Sequence, residues 1–482
     1  MMPVLSFLPI ALLIVLSLTR NVKEAVFVVF AVTTLLFFYW GRGLAEYSGT
    51  LVVSAFTTLN ILMIVFGAAF LFHIMEKNGL IAKISSSVAE MHPANEMRFF
   101  LLALGLTGFF EGVAGFGTPG AIVPLLLIAL GYNAVLSVAV VLLFNGLFAI
   151  FGAIGTPLII GIQLPLQLSD ELIFDIGIIS ALVSVLTVFL WLFYVFRVFR
   201  KKGYELRHKK QVILLYGLFA APFCFFAWVA PELATVLGSL IMLTLAVLLF
   251  KQKNTKISIR PWLPYLFLAF LLLLPRMFLP LRTFIGWEIA FLSLFQTEIG
   301  TVFRPLQTPL VPFLATGMMV ALRYGNLDLG IKVPLQKTGR VLVVLFPSIV
   351  IAQLMIQSGG ENPSMVAHIA GTLAETGQFY PLISPFLGLT GTFITGSTTV
   401  SNIVFAPSQL ETARAIGLPV ELILAQQHAG AALGNAVSLF NIIAAAAIAS
   451  LHNYKEVLKL TLLPVVIGGI VIGIVGYFLV VV

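Results

Sequence analysis

Apolar runs of about 17–25 residues recur along this chain from one end to the other. A run of this length can cross the hydrocarbon core of a bilayer as a single α-helix. The chain of 482 residues is 60% hydrophobic and only 10% charged, whereas soluble domains are nearer about 25% charged. No stretch between the runs is polar enough, for long enough, to fold outside the bilayer. The sequence therefore predicts an all-α polytopic membrane protein with no soluble domain.

Charge and cysteine content exclude several other classes. The net charge of +8 fits the basic loops that membrane proteins keep on the cytoplasmic side. No nucleic-acid partner is expected, because no basic face is interleaved with aromatic residues. The single cysteine, Cys224, excludes an internal disulfide. The N-terminal stretch lacks a basic n-region and a small-residue cleavage site, so we interpret it as a transmembrane helix and not as a signal peptide.

The basic loops also predict the topology. The stretch RVFRKKGYELRHKK, 197–210, carries seven Lys or Arg residues, and KQKNTKISIR, 251–260, is the next most basic. The positive-inside rule places both loops in the cytoplasm. Counting from them gives about twelve crossings and puts both termini outside. These crossings are 4–19, 25–40, 50–74, 134–162, 172–196, 211–228, 232–250, 261–280, 305–322, 341–357, 419–450 and 457–480. The segment 281–304 fits no crossing and is expected outside, next to the membrane, while Arg276 is expected to reach an interface.

Two apolar segments, 99–130 and 381–412, do not fit as simple crossings. Each is roughly 30 residues long, enough for two half-depth helices, and is interrupted near its middle by Gly, Thr, Ser or Pro. The first contains GFFEGVAGFGTPGAIVP and the second contains GLTGTFITGSTTVSN. Unwound backbone at membrane depth is tolerated only where protein or a wet cavity satisfies its polar groups. We therefore predict two re-entrant hairpins.

The order of segments is the same in both halves of the chain. A crossing is followed by an amphipathic segment, a hairpin, a glycine-broken crossing (134–162 or 419–450) and a plain crossing. On the predicted topology the two hairpins enter from opposite sides. This predicts an inverted-topology repeat, which is typical of secondary transporters that bind substrate near the midplane. The predicted divisions are a first repeat over 1–210, connecting helices over 211–322 and a second repeat over 323–482. A channel on the same repeat stays open.

The broken segments offer neutral groups for an anion. A helix that begins inside the membrane presents unpaired N–H groups and a partial positive charge, and glycine lets a ligand approach the backbone. No Lys or Arg lies in these segments' cores, which favours a small, singly charged anion. The predicted substrate-binding residues are Gly115, Gly117, Thr118, Asn145, Gly155, Thr156, Thr395, Gly396, Ser397, Thr398, Thr399, Ser401, Asn402, Gly434, Asn435, Ser438 and Asn441.

Glu111 carries the one carboxyl group in the cores of the broken segments, and His428 is a second ionisable residue that could carry a proton. An ionisable residue at membrane depth is costly and is a functional candidate by default. Because burial disfavours the charged carboxylate, we expect Glu111 to bind and release a proton. The alternatives are a protonated Glu111 that caps the hairpin and a His428 that only packs. No cofactor and no resident metal are expected; the co-transported ion is H⁺, with Na⁺ left open.

Three segments resemble the L-lactate permease family. FFEGVAGFGTPGAI is similar to its EGAAGFGAPVAI-type signature, and NGLFAIFGAIGTP looks like a second family segment. ISPFLGLTGTFITGSTTVSN is similar to its ISPFLGWLGTFITGSDTSSN-type stretch. The resemblance covers most of the chain. It implies a prokaryotic inner-membrane symporter of lactate or glycolate with a proton, with an elevator motion, and a homodimer is left open.

Two positions depart from that family pattern. Thr398 stands where the family commonly has Asp, and Asn435 stands where it has Lys. Because removing one partner of a buried ion pair leaves a costly charge, the joint loss of acid and base indicates a compensated pair. The substrate could therefore be another short monocarboxylate, or the coupling ion could be Na⁺. An intramembrane enzyme is disfavoured, since neither H-E-x-x-H nor G-x-S-x-G occurs.

Overall fold

The structure is a computed structural model that describes residues 2–19, 22–115, 117–250, 259–277, 279–325, 328–451 and 453–481. Most of the basic loop 251–260 and the side chain of Arg276 fall outside this described part. The described chain is almost entirely helical, as the polytopic prediction requires.

Eight helices of the described part are long and apolar enough to cross a membrane, which confirms a polytopic membrane protein. They are Leu44–Lys77, Ala134–Leu166, Asp170–Lys201, Lys209–Val229, Pro231–Phe250, Lys332–Gln357, Val420–Ile448 and Tyr454–Val481. The other four predicted crossings coincide with helices of 12 to 18 residues, Leu8–Thr19, Val22–Tyr39, Leu263–Met277 and Leu310–Arg323. The count of twelve crossings stays a prediction.

The first part of the chain leads to a helical hairpin. Its helices are α1 (Met2–Ser6), α2 (Leu8–Thr19), α3 (Val22–Tyr39), α4 (Leu44–Lys77), α5 (Leu80–Ala89), α6 (Asn95–Phe100), α7 (Thr107–Val113) and α8 (Thr118–Ala129). A π-helical turn, Leu101–Leu106, joins α6 to α7. Helices α7 and α8 pack side by side as the two arms of the first hairpin.

A broken helix and three long helices follow. They are α9 (Ala134–Phe148), α10 (Gly152–Leu158), α11 (Leu164–Leu166), α12 (Asp170–Lys201), α13 (Lys209–Val229) and α14 (Ala234–Phe250). A 3₁₀ turn, Ala149–Phe151, separates α9 from α10, and a π-helical turn, Ile159–Gln163, follows α10.

The middle of the chain contains one departure from the all-α prediction. After α15 (Leu263–Met277) and α16 (Leu279–Ile285), strands β1 (Ile289–Phe291) and β2 (Thr301–Phe303) form an antiparallel ribbon. Phe291 stacks on Phe56 of α4, with ring centroids 5.0 Å apart, and so fixes the ribbon against a long helix. The sequence analysis missed these strands because each is only three residues long.

The last part of the chain contains the second hairpin and the second broken helix. Its helices are α17 (Leu310–Arg323), α18 (Lys332–Gln357), α19 (Met365–Ala374), α20 (Tyr380–Thr395), α21 (Thr398–Ile416), α22 (Val420–Gly434), α23 (Leu439–Ile448) and α24 (Tyr454–Val481). Helices α20 and α21 pack together as the second hairpin. A Cβ at Gly430 would overlap the Pro385 carbonyl, so glycine brings α22 directly against α20. Close approach at small residues is a common way for membrane helices to associate.

The base of the first hairpin is tied to the loop between α12 and α13. Glu96 is 6% exposed, and its Oε1 accepts hydrogen bonds from the backbone amides of Arg207 (3.1 Å) and His208 (3.3 Å). His208 Nδ1 lies 2.7 Å from the same oxygen. Burial would raise the pKa of Glu96, but the hydrogen bonds from His208 and Arg207 outweigh it and hold this pKa below its usual value. The contact fixes the hairpin base to the most basic loop of the chain.

Candidate functional site

The first broken helix contains a left-handed turn. Ala153, Ile154 and Gly155 have φ of 44°, 54° and 69°. A β-branched side chain rarely adopts such angles, and each strained residue costs on the order of 1–3 kcal/mol. A Cβ at Gly155 would come within 2.5 Å of Glu232 Cα, so glycine is required where the left-handed turn meets the 3₁₀ turn Pro231–Leu233, just before α14. Strain of this kind persists only where the surrounding structure holds it, and it often marks functional sites.

The tip of the first hairpin lies against this turn. Gly115 and Gly117 have φ of 52° and 80°. A Cβ at Gly115 would lie 2.8 Å from the Ala153 Cβ, so the two breaks touch. The N-cap of α8 is Gly117, and Thr118 is its first helical residue. Thr156 Oγ1 donates to the Ala153 carbonyl at 2.5 Å and so braces the turn.

Glu111 lies where these breaks meet. It is 6% exposed, and a Cβ at Gly152 would overlap its Oε1. The amide of Asn145 approaches the carboxyl group closely enough to interact with it. Glu111 Oε2 and Asn145 Oδ1 have no hydrogen-bond partner among the described residues. A buried polar atom without a partner is costly. Glu111 Oε2 can therefore accept a proton or a hydrogen bond from a polar ligand.

The tip of the second hairpin presents neutral polar groups. Gly396 has φ 72°, and the Ser397 Oγ caps α21 by accepting from the Val400 amide at 3.3 Å. Thr395 Oγ1 donates to the Gly391 carbonyl at 2.8 Å. Gly396 and Ser397 are half-buried, so this tip is not fully enclosed by the described residues.

The two positions that depart from the family pattern are in contact. Asn435 Nδ2 donates to Thr398 Oγ1 at 2.5 Å, and both side chains are buried. Asn441 Nδ2 donates to Asn435 Oδ1 at 3.0 Å and reaches the Gly396 carbonyl at 3.4 Å. Ser438 Oγ is buried, without a partner in the described part of the chain. A neutral hydrogen bond therefore occupies the place that the resemblance gives to an acid and a base.

His428 joins the second hairpin to the first broken helix. Asn402 Nδ2 donates to the Pro157 carbonyl at 3.0 Å and lies 2.9 Å from His428 Nδ1. The His428 ring packs on Phe151, with centroids 6.1 Å apart, and its Nε2 is buried without a hydrogen-bond partner among the described residues. None of the described contacts joins His428 to Glu111, which lies beyond the segment 150–152.

Three residues of this network were not predicted from the sequence. Tyr380 Oη donates to Gln409 Oε1 at 2.5 Å, and Gln409 Nε2 donates to Gln427 Oε1 at 2.9 Å. Gln427 Nε2 then reaches Asn402 Oδ1 at 3.3 Å. The polar run AQQHAG, 425–430, inside an apolar helix was the sequence signal for Gln427. Only His428 of this run was predicted to be functional.

Three predicted binding residues contact neighbouring helices. A Cβ at Gly434 would lie 2.7 Å from the Leu389 carbonyl, and Ser401 Oγ donates to the Gly388 carbonyl at 2.7 Å. The Thr399 carbonyl faces Gly161 of the first broken helix. These contacts give the three residues a packing role, and a binding role for them stays a prediction.

Comparisons with known proteins identify the family of this chain. The L-lactate permease family profile matches residues 3–264 and 310–482, leaving out the region of the β-ribbon. A Haemophilus influenzae protein is 28% identical over 99% of this chain and 98% of its own length. The Salmonella typhi L-lactate permease is 26% identical and the Escherichia coli glycolate permease GlcA 27% identical, each over 86% of this chain and 83% of the relative. The YdaH transporter of Alcanivorax borkumensis aligns with 88% of this chain and 86% of its own, at 14% identity and a TM-score of 0.43. With its profile matched over nearly the whole length, this chain belongs to the L-lactate permease family.

Proposed function

We propose that this chain is a secondary active transporter that carries L-lactate or glycolate, together with a proton, across the prokaryotic inner membrane. The observation that carries the proposal is Glu111, a buried carboxyl group where the first hairpin meets the first broken helix, with one oxygen that has no hydrogen-bond partner among the described residues. Membership of the L-lactate permease family supports a transport role for that carboxyl group.

Glu111 carries the proton in this proposal. Its Oε2 has no partner in the described part of the chain, so a proton there removes a buried charge and costs no existing hydrogen bond. His428 is the weaker candidate, because Asn402 donates to its Nδ1. A proton can reach that nitrogen only if the Asn402 amide turns away.

The anion binds through neutral groups near the two hairpin tips. Backbone N–H groups at the start of α21, a helix of 19 residues, provide a partial positive charge. Asn441 lies beside this helix start, where its amide reaches the Gly396 carbonyl. The buried Ser438 Oγ, three residues earlier in the chain, is a second side-chain hydrogen-bonding group. A site of this kind suits one carboxylate, whereas a dicarboxylate would need further cations.

The two hairpins are re-entrant and belong to inverted repeats that move as an elevator. What supports this is a reciprocal contact between the halves. Gly161, beyond the break of the first broken helix, lies beside Asn402 of the second hairpin. Ala445, beyond the break of the second broken helix, lies near Gly120 of the first hairpin. Such an exchange of contacts is expected when two repeats of opposite orientation surround one site.

The test is uptake of labelled L-lactate into proteoliposomes under an imposed inward proton gradient. Unlabelled glycolate, pyruvate, acetate and succinate serve as competitors. Gradient-driven uptake that glycolate blocks and succinate does not supports the proposal. Uptake that follows a Na⁺ gradient and ignores pH would replace the proton by sodium. Single-channel currents would instead indicate an anion channel.

A further inference from the structure

A groove opens between the end of α12 and the start of α13, away from the transport site. Arg197, Arg200 and Lys201 line it from α12, and Lys209 lines it from α13. Three apolar side chains, Phe193, Phe196 and Ile213, form the rest of its lining. A cavity with cations on one part of its wall and aromatic and aliphatic groups on the other matches an amphipathic anion.

The cations of the groove are available to a ligand. All four are exposed. Within the described residues none of them forms an ion pair, whereas nearby Arg207 pairs with Glu205 at 2.7 Å. Cations at the end of a helix are favoured by its dipole, which explains Arg200 and Lys201. It does not explain why Lys209, at the start of the next helix, lines the same groove.

The length of α12 places these charges at the membrane surface. Its 32 residues extend about 48 Å, well beyond a hydrocarbon core of about 30 Å. Phe193 lies about one turn before Arg197, towards the membrane interior, and is 49% exposed. The four cations of the groove are thus at the level of the lipid headgroups, and its three apolar side chains, here called the apolar wall, are at the level of the acyl chains.

We propose that this groove binds an anionic glycerophospholipid of the leaflet on its side of the membrane. The phosphate lies among Arg197, Arg200, Lys201 and Lys209, and an acyl chain lies along Phe193 and Ile213. Basic pockets between transmembrane helices are the known way in which such headgroups are held. The loop from this groove leads directly to His208 and its contact with Glu96, so a bound lipid also steadies the base of the first hairpin.

The test uses the purified full-length protein in a neutral detergent. The probe is fluorescent phosphatidylglycerol, with unlabelled phosphatidylglycerol, phosphatidylcholine, glycerol 3-phosphate and inorganic phosphate as competitors. We expect saturable binding that only unlabelled phosphatidylglycerol displaces. Lys201→Gln with Lys209→Gln should weaken it by about tenfold or more. The matched control, Lys455→Gln with Lys459→Gln, removes two exposed lysines elsewhere and should leave the affinity unchanged.

Several outcomes would overturn the proposal. If phosphatidylcholine competes as well as unlabelled phosphatidylglycerol, the groove binds lipids without selecting for negative charge. Displacement by inorganic phosphate at the same concentration would assign the site to a free anion. Equal losses in the two double variants would mean that net charge alone attracts the lipid. Phe193→Ser tests the apolar wall separately, since it should weaken phosphatidylglycerol binding while all four cations stay in place.

Discussion

Thr398 and Asn435 allow a direct test of the idea that this chain has exchanged a buried ion pair for a neutral hydrogen bond. We expect Thr398→Asp or Asn435→Lys alone to destabilise the protein, and the two together to restore it. A single buried charge without its partner costs about 3–5 kcal/mol. Thr398 opens α21 and Asn435 caps the end of α22, where the helix dipoles favour these charges by up to about 1–2 kcal/mol. Each single variant should therefore lose about 2–3 kcal/mol.

The assay is a double-mutant cycle on melting temperature and on lactate uptake. The coupling energy should reach at least about 2 kcal/mol, because the two side chains are in direct contact. A neutral cycle, Thr398→Asn with Asn435→Met, is the matched control, and its coupling should stay near the ~1 kcal/mol of the neutral hydrogen bond that it disrupts. Additive effects in the charged cycle, or equal coupling in the two cycles, would show that no ion pair forms at these positions. If lactate uptake is lost in both single variants and recovers in Thr398→Asp with Asn435→Lys, the pair is linked to transport as well as to stability.

Contacts of Gly152, Asn402 and Glu96 give three further predictions. Gly152→Ala should displace the Glu111 carboxyl group and lower uptake by about tenfold or more, whereas Gly217→Ala, in open space, should not; comparable uptake in both variants would contradict the contact. Asn402→Ala removes a buried amide that hydrogen-bonds three partners, so it should cost about 1–3 kcal/mol, seen as a lower melting temperature than that of the native protein. The pKa of Glu96 is lower in the folded protein than its usual value of 4.5, so the ionised carboxylate stabilises the fold at pH values above 4.5. This stabilisation is lost as the pH falls through the lowered pKa of the folded protein. Melting temperature against pH should therefore fall on acidification in the native protein, and Glu96→Gln should flatten that fall; parallel curves would contradict it.

The sequence was informative where chemistry is local. Apolar length predicted the membrane helices, because a bilayer accepts only helices with internally satisfied backbone. Glycines next to Glu111 predicted the broken backbone, and Gly115 and Gly117 do adopt positive φ. The paired departure at Thr398 and Asn435 predicted a contact, which the structure shows as a hydrogen bond.

The sequence was less informative where structure depends on partners distant in the chain. The left-handed turn at Ala153 and Ile154 has no local signal, since neither residue favours positive φ, and packing of Gly115 against Ala153 accompanies it. The Tyr380–Gln409–Gln427 network joins three helices, and polar residues in apolar helices do not reveal their partners in advance. The β-ribbon depends on packing against Phe56, far away in the chain.

Uptake of labelled lactate into proteoliposomes that contain Glu111→Gln tests whether Glu111 couples a proton to substrate movement. We expect a proton gradient to drive uptake in the native protein but not in the variant. Exchange of lactate across the membrane at equal pH on both sides should survive in the variant and no longer depend on pH. If the variant accumulates lactate under the gradient, with the pH dependence of the native protein, Glu111 does not carry the coupled proton.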